Sequence, residues 1–271
     1  MPVTQIDDRK VWQRRDRAQQ LRIWLGWLVG VALFMVCWEY ISRQTIWIFV
    51  WDAPQQAFDM ARRMSNPPWG YFDRILWPMW DTINMATLGT LIGVVIATPL
   101  AFLAAWNTTP SRFVLRPLAL GIIVTSRSIN SLIWALLLVL ILGPGLMAGI
   151  IAIALRSIGF VGKLLYEAIE EIDENQVEAI RATGAAPTQV LSYGVWPQIL
   201  PAFAGISVYR WDINIREATI LGLVGAGGIG VQLSASVNSL AWGQVSVIFI
   251  AILLTVVVSE WVSAKVRHAI I

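Results

Sequence analysis

Long apolar stretches interrupted by isolated charges set the pattern of this chain. Between Arg112, Arg127, Arg156, Arg181, Arg210 and Glu260 lie several charge-poor runs, each long enough for a membrane-spanning helix, which needs roughly 20 mostly apolar residues. A spanning β-barrel would instead alternate apolar and polar positions in segments of about 10 residues. The run from Leu132 to Leu142 has no such alternation. The pattern predicts an all-α, polytopic membrane protein with spans near 23–41, 82–105, 117–142, 146–163, 200–223 and 243–262. Around these lie an N-terminal segment, 1–22, and a loop outside the cytoplasm, 42–80. A core domain, 81–271, carries a long polar loop at 164–198.

Composition agrees, because 57% hydrophobic and 14% charged residues, with a mean hydropathy of +0.64, are too apolar for a water-soluble domain of 271 residues. Charge sets the orientation. Under the six-span scheme twelve Lys and Arg fall on cytoplasmic segments, four outside and four within the membrane, as the positive-inside rule requires. Both termini are therefore expected in the cytoplasm of a bacterial cell, with residues 42–80 in the periplasm. The loop after the fourth span has two basic residues against six acids, but acids count little in that rule. The first run lacks a small-residue cleavage site and continues into Trp38-Glu39-Tyr40, which predicts a retained span. Trp24, Trp27, Trp38, Trp77, Trp80, Trp106, Trp242 and Trp261 fall near predicted span ends, as interfacial anchors do. Residues 55–64 form an amphipathic pattern suited to lying on the membrane surface.

Several chemistries drop out. Cys37 and His268 are each alone in their residue type, so one chain cannot assemble a disulfide, zinc cluster or Cys–His pair. The net charge of +3 sits at helix flanks, where topology accounts for it without nucleic acid. Gly225 to Gly230 matches GxGxxG, yet it follows a predicted span, and no acid appears before Glu260. That context fits closely packed backbone between helices better than a dinucleotide site. Gly162-Lys163 lacks the spacing and the Ser or Thr of a phosphate loop. No cofactor is expected in this chain.

Charges inside spans are costly and mark a pathway or a pair. Arg127 lies about ten residues into the predicted span 117–142, roughly 15 Å deep. With Ser126, Ser128, Asn130 and Ser131 it makes a polar patch whose guanidinium fork suits the oxygens of an anion. The fifth span carries Arg210, Asp212, Asn214, Arg216 and Glu217. Asp212 and Arg216 are spaced to pair, while Arg210, Asn214 and Glu217 share a face. Arg127, Ser128, Asn130, Arg210, Asn214, Arg216 and Glu217 are the candidate pathway residues. Arg156, in the fourth span, has no depth that the pattern can assign.

The polar loop inserts a helix-compatible segment broken by Gly184 and Pro187 into an otherwise apolar half. Glu178-Ala179, Gly184 six residues after Glu178, and Pro197 resemble the EAA signature of ABC importer permeases, with Gly194 and Trp196 where that signature prefers isoleucine and leucine. Glu167 to Asp173, Arg181 to Ala185, Tyr209 to Thr219 and Gly222 to Gly230 together look like phosphonate permeases of the PhnE type, over roughly residues 80 to 265. The resemblance implies a type I importer permease working as a homodimer, with two ABC ATPase subunits that hold ATP and Mg. It also implies a solute-binding protein on the opposite face. Glu178, Ala179, Arg181, Gly184 and Pro197 would form the loop that engages the ATPase.

The expected function is translocation of phosphonate, or of phosphite or hypophosphite, across the cytoplasmic membrane, with no bond chemistry in this chain. An importer permease for another solute such as an amino acid would keep the loop but need no anion-binding groups. An ion-coupled carrier or channel would show inverted repeats with paired broken helices, and no such repeat is visible. A non-transporting scaffold would have little use for arginines at several depths.

Overall fold

A computed structural model describes residues 3–6, 9–12 and 17–270. The chain divides into two compact units, residues 1–60 and 61–271. In the first unit β1 (Val3–Ile6) and β2 (Arg9–Trp12) pair as an antiparallel hairpin, a small addition to the all-α expectation. The long helix α1 (Arg17–Gln44) follows, then most of α2 (Trp47–Met64). The apolar stretch of α1 buries nothing against protein. Trp24, Trp27, Phe34 and Val36 are all more than 60% exposed, which suits lipid rather than water. The surface helix read at 55–64 is longer, beginning at Trp47.

The second unit is a helical bundle. It comprises α3 (Phe72–Ala104), α4 (Leu115–Ser128), α5 (Ser131–Leu142), α6 (Leu146–Glu170), α7 (Glu174–Ala182), α8 (Pro187–Val190), α9 (Trp196–Leu223), α10 (Ile229–Asn238) and α11 (Trp242–Ile270). Helices α3 and α6 run parallel along a seam of small residues: Met85 meets Gly149, Gly89 meets Ile153 and Gly93 meets Ser157. A Cβ placed on Gly93 would lie 2.5 Å from that of Ser157, so the backbones approach as closely as glycine allows. Ala86, Ala97 and Ala101 continue the buried stripe. In lipid, where apolar side chains gain nothing by leaving the solvent, such close packing is what holds helices together.

Among the described residues, four helices are long and apolar enough to cross a membrane: Ala18–Gln44, Trp69–Ala104, Leu146–Glu170 and Trp242–Ala269. The bent pair α4 and α5 makes a fifth if the two helices are taken as one span. The sixth expected span, α9, is 28 residues long but carries Arg210, Asp212, Arg216 and Glu217. It packs within the bundle against α3, α6 and α11.

One expectation is corrected outright. Residues 117–142 are not a single straight span, because α4 and α5 meet at 88°. Ile129 and Asn130 both take extended backbone, and the Asn130 side chain accepts a hydrogen bond from Leu132 N at 3.1 Å. That cap starts a new helix in a new direction. The depth assigned to Arg127 assumed a straight helix and falls with it.

Other elements begin or end elsewhere than predicted. Helix α3 starts ten residues before the expected 82, α6 runs to Glu170, and α10 occupies part of the expected connection. Gly225, Gly227 and Gly228 have φ of +90°, +87° and +72°, and Gly230 packs against Gly222, where a Cβ would lie 2.6 Å from the Gly230 Cα. The GxGxxG run is therefore a tight turn between α9 and α10.

Candidate functional site

Helix α9 brings its charges into the bundle on two faces. On the first, Arg210 is 1% exposed. Its Nε donates to Ser157 Oγ at 3.1 Å, its Nη2 lies 3.3 Å from Glu217 Oε2, and its guanidinium stands 5.0 Å from the Phe160 ring centre. Asn214, one turn on, donates from Nδ2 to Thr90 Oγ1 at 2.7 Å and to Ser157 Oγ at 2.9 Å. Ser157 thus ties α6 to α9, and Thr90 ties α3 to the same asparagine. Every such tie matters in a bundle, because lipid supplies no alternative partner.

Glu217 is shared by two arginines. Its Oε1 lies 3.6 Å from Arg156 Nη1. The same Nη1 donates to Asn130 Oδ1 at 3.1 Å and to Ser131 Oγ at 3.3 Å, at the start of α5. A cavity of about 430 Å³ opens there, lined by Asn130, Ser131, Arg156, Glu217, Ile220 and Leu221. Arg156 is ten residues into α6, or roughly 15 Å along it, about half the thickness of the hydrocarbon core.

The second face holds Asp212 and Arg216, which pair as their spacing predicts. Ser259 Oγ donates to Asp212 Oδ1 at 2.8 Å, and Glu260 Oε1 lies 3.7 Å from Arg216 Nη1. These contacts join α9 to α11 and leave Arg216 out of the cavity.

The patch read around Arg127 is divided. Asn130 and Ser131 go to Arg156, whereas Ser128 Oγ bonds back to Val124 O within its own helix at 2.7 Å. Ser126 Oγ donates to Leu155 O and accepts from Gly159 N, pinning α4 to α6. Arg127 is exposed and has no ion pair or hydrogen-bond partner among the described residues. Arg156 is the residue that sequence reasoning left unplaced. The signal was available in Gly143-Pro144-Gly145, which ends one helix and sets the starting point from which depth in the next is counted.

The polar loop folds as two short helices resting on the end of the bundle. Asp173 caps α7 by accepting from Asn175 N at 3.0 Å, and Gly184, at φ +81°, closes it with a left-handed turn. Val177 and Ile180 pack inward with Val190, Val195 and Ile199. Gly194 is buried there, its Cβ position 3.4 Å from Val177 Cα, and Trp196 stacks on Phe102 and meets Phe203 at a tilt. These two departures from the signature are thus filled by contacts to the loop and bundle. Glu178, Ala179, Arg181, Gly184 and Pro197 remain exposed. A groove of about 570 Å³ runs beside them, with Trp106, Arg112, Glu174, Glu178 and Arg181 among its walls.

Residues 97–264 match the family model described as binding-protein-dependent transport system inner membrane component. The phosphite transport system permease protein PtxC of Stutzerimonas stutzeri is 36% identical over 256 residues, 90% of this chain and 90% of its own. The phosphate-import permease protein PhnE of Mycolicibacterium smegmatis is 39% identical over 220 residues, 81% of this chain but 41% of its own length. Among solved structures, an inward-facing form of the MetNI methionine ABC transporter superposes with a TM-score of 0.63 at 22% identity. It covers 73% of this chain and 96% of that one. That last likeness speaks to fold alone.

Proposed function

The chain belongs to the binding-protein-dependent transport system inner membrane components, and from that premise we propose that it carries a small phosphorus oxyanion, a phosphonate or phosphite, into the cell. It is a multi-pass inner-membrane permease, not an enzyme, and it works with an ATPase and a binding protein. The observation that carries the cargo reading is the similarity over nine-tenths of the chain to a permease named for phosphite. The arginine-lined cavity at mid-bundle supplies matching chemistry, since a guanidinium fork presents parallel donors to tetrahedral oxyanions.

In this reading both termini are cytoplasmic, and two copies of the chain form the pathway. Two ATPase subunits hold all the ATP and Mg. Each grips the α7 surface at Glu178, Ala179 and Arg181, and the turn at Gly184 passes its movement on to α9. The packing of Val177 and Ile180 against Val195 and Ile199 supports this, because it links α7 to the first turn of α9 as one hydrophobic unit. Helix α9 ends beside the cavity at Glu217 and Leu221. A displacement of α7 therefore has a continuous helix along which to reach the cargo.

The test is reconstitution. The permease, its ATPase and its binding protein in proteoliposomes should take up radiolabelled phosphite and methylphosphonate, with ATP turnover stimulated by the loaded binding protein. Uptake of methionine with no competition from either phosphorus compound would move the chain to the amino acid reading.

A further inference from the structure

Arg156 and Arg210 share one carboxylate but differ in what they leave free. Arg210 is sealed in the bundle, its Nε and Nη2 both engaged. Arg156 directs only Nη1 at protein, and its Nε and Nη2 have no acceptor among the described residues. Its side chain is 29% exposed and lines the cavity of about 430 Å³. A guanidinium at mid-bundle with one edge unsatisfied is costly unless something fills it.

We propose that Arg156 is the group that takes hold of the translocated oxyanion, through the Nε–Nη2 edge of its guanidinium, while Nη1 stays with Asn130, Ser131 and Glu217. This rests on the cargo reading above. Arg210 keeps Glu217 paired throughout. The two arginines and one glutamate give the cluster a formal surplus of one positive charge, which an arriving anion neutralises. Asn130 and Ser131 hold Nη1 and leave the Nε–Nη2 edge without an acceptor among the described residues, on a side chain that lines the cavity. They also place the first turn of the 12-residue helix α5 in the cavity wall, where its positive end favours an anion. Glu217 repels the same anion, which keeps occupancy brief, as a carrier site needs.

The test uses the reconstituted transporter with its ATPase and binding protein, comparing wild type with Arg156→Lys and Arg156→Gln. Radiolabelled phosphite uptake and ATP turnover stimulated by the loaded binding protein are read together, on preparations that are monodisperse and melt within a few degrees of wild type. Loss of charge-assisted hydrogen bonds predicts uptake reduced on the order of 10- to 100-fold in Arg156→Gln. Arg156→Lys keeps the charge but loses the fork, so uptake should fall about 10-fold. Uptake per ATP hydrolysed should fall in both variants, which a mere loss of active protein would leave unchanged. Wild-type uptake by Arg156→Lys overturns the proposal, because a charge that merely neutralises Glu217 would then suffice. Wild-type uptake by Arg156→Gln overturns it as well. If wild type itself carries no phosphorus oxyanion, the cargo reading fails and takes this inference with it.

Discussion

Two charged regions of this chain obey opposite rules. In the bundle, the charges of α9 are satisfied from within: Arg210 and Asn214 share Ser157, Glu217 takes two arginines, and Asp212 holds Arg216 and Ser259. On α7, Glu178 and Arg181 stand exposed beside a groove while Val177 and Ile180 do the packing. The difference follows from the solvent. Lipid offers a charge no partner, so the bundle must bring its own. Water solvates the loop's charges and leaves them free for another protein.

That contrast predicts effects of different kind and size. The largest belongs to Glu217→Ala, which leaves Arg210 buried beside no carboxylate and should cost about 3–5 kcal/mol. Thermal unfolding in detergent checks it, and an unchanged melting temperature would mean that water reaches Arg210 after all. Next is Gly93→Leu on the α3–α6 seam, where the first added carbon already meets Ser157. Overpacking there should destabilise by about 1–3 kcal/mol, visible as a lowered melting temperature and poorer membrane yield. Gly184→Ala forces a side chain into the left-handed region at φ +81° and should cost about 1–2 kcal/mol. Its loss should be confined to the loop, seen as faster proteolysis at residues 183–187 in an intact bundle. The smallest change in stability is expected of Glu178→Ala, which should melt as wild type does. Its ATP turnover should nonetheless no longer respond to the loaded binding protein, and a response of normal size would remove Glu178 from the coupling surface.

Much of the fold was legible in the chain. Charge-poor runs located the long helices, and the spacing of Asp212 and Arg216, and of Arg210, Asn214 and Glu217, placed them on two faces of α9. The loop's caps were readable at Gly184 and its exposed face at Glu178. The bend at Ile129–Asn130 was not, because the apolar run passes through it almost uninterrupted and hydropathy averages over a window. Arg127 consequently drew the attention that the structure gives to Arg156. Asn130 and Ser131 were read as neighbours of Arg127, but the 88° turn aims them at Arg156 on α6.

Local chemistry alone, then, determined that the chain crosses a membrane as helices, where its charges interrupt them, and which segment must face water. These are sums over neighbours in sequence, which transfer energies add residue by residue. Only the tertiary structure decided which arginine meets which carboxylate, and that Arg156 lines a cavity with one guanidinium edge lacking an acceptor among the described residues. Those pairings depend on directions set by two extended residues and on glycine seams between helices far apart in the chain. No window along the sequence contains both partners.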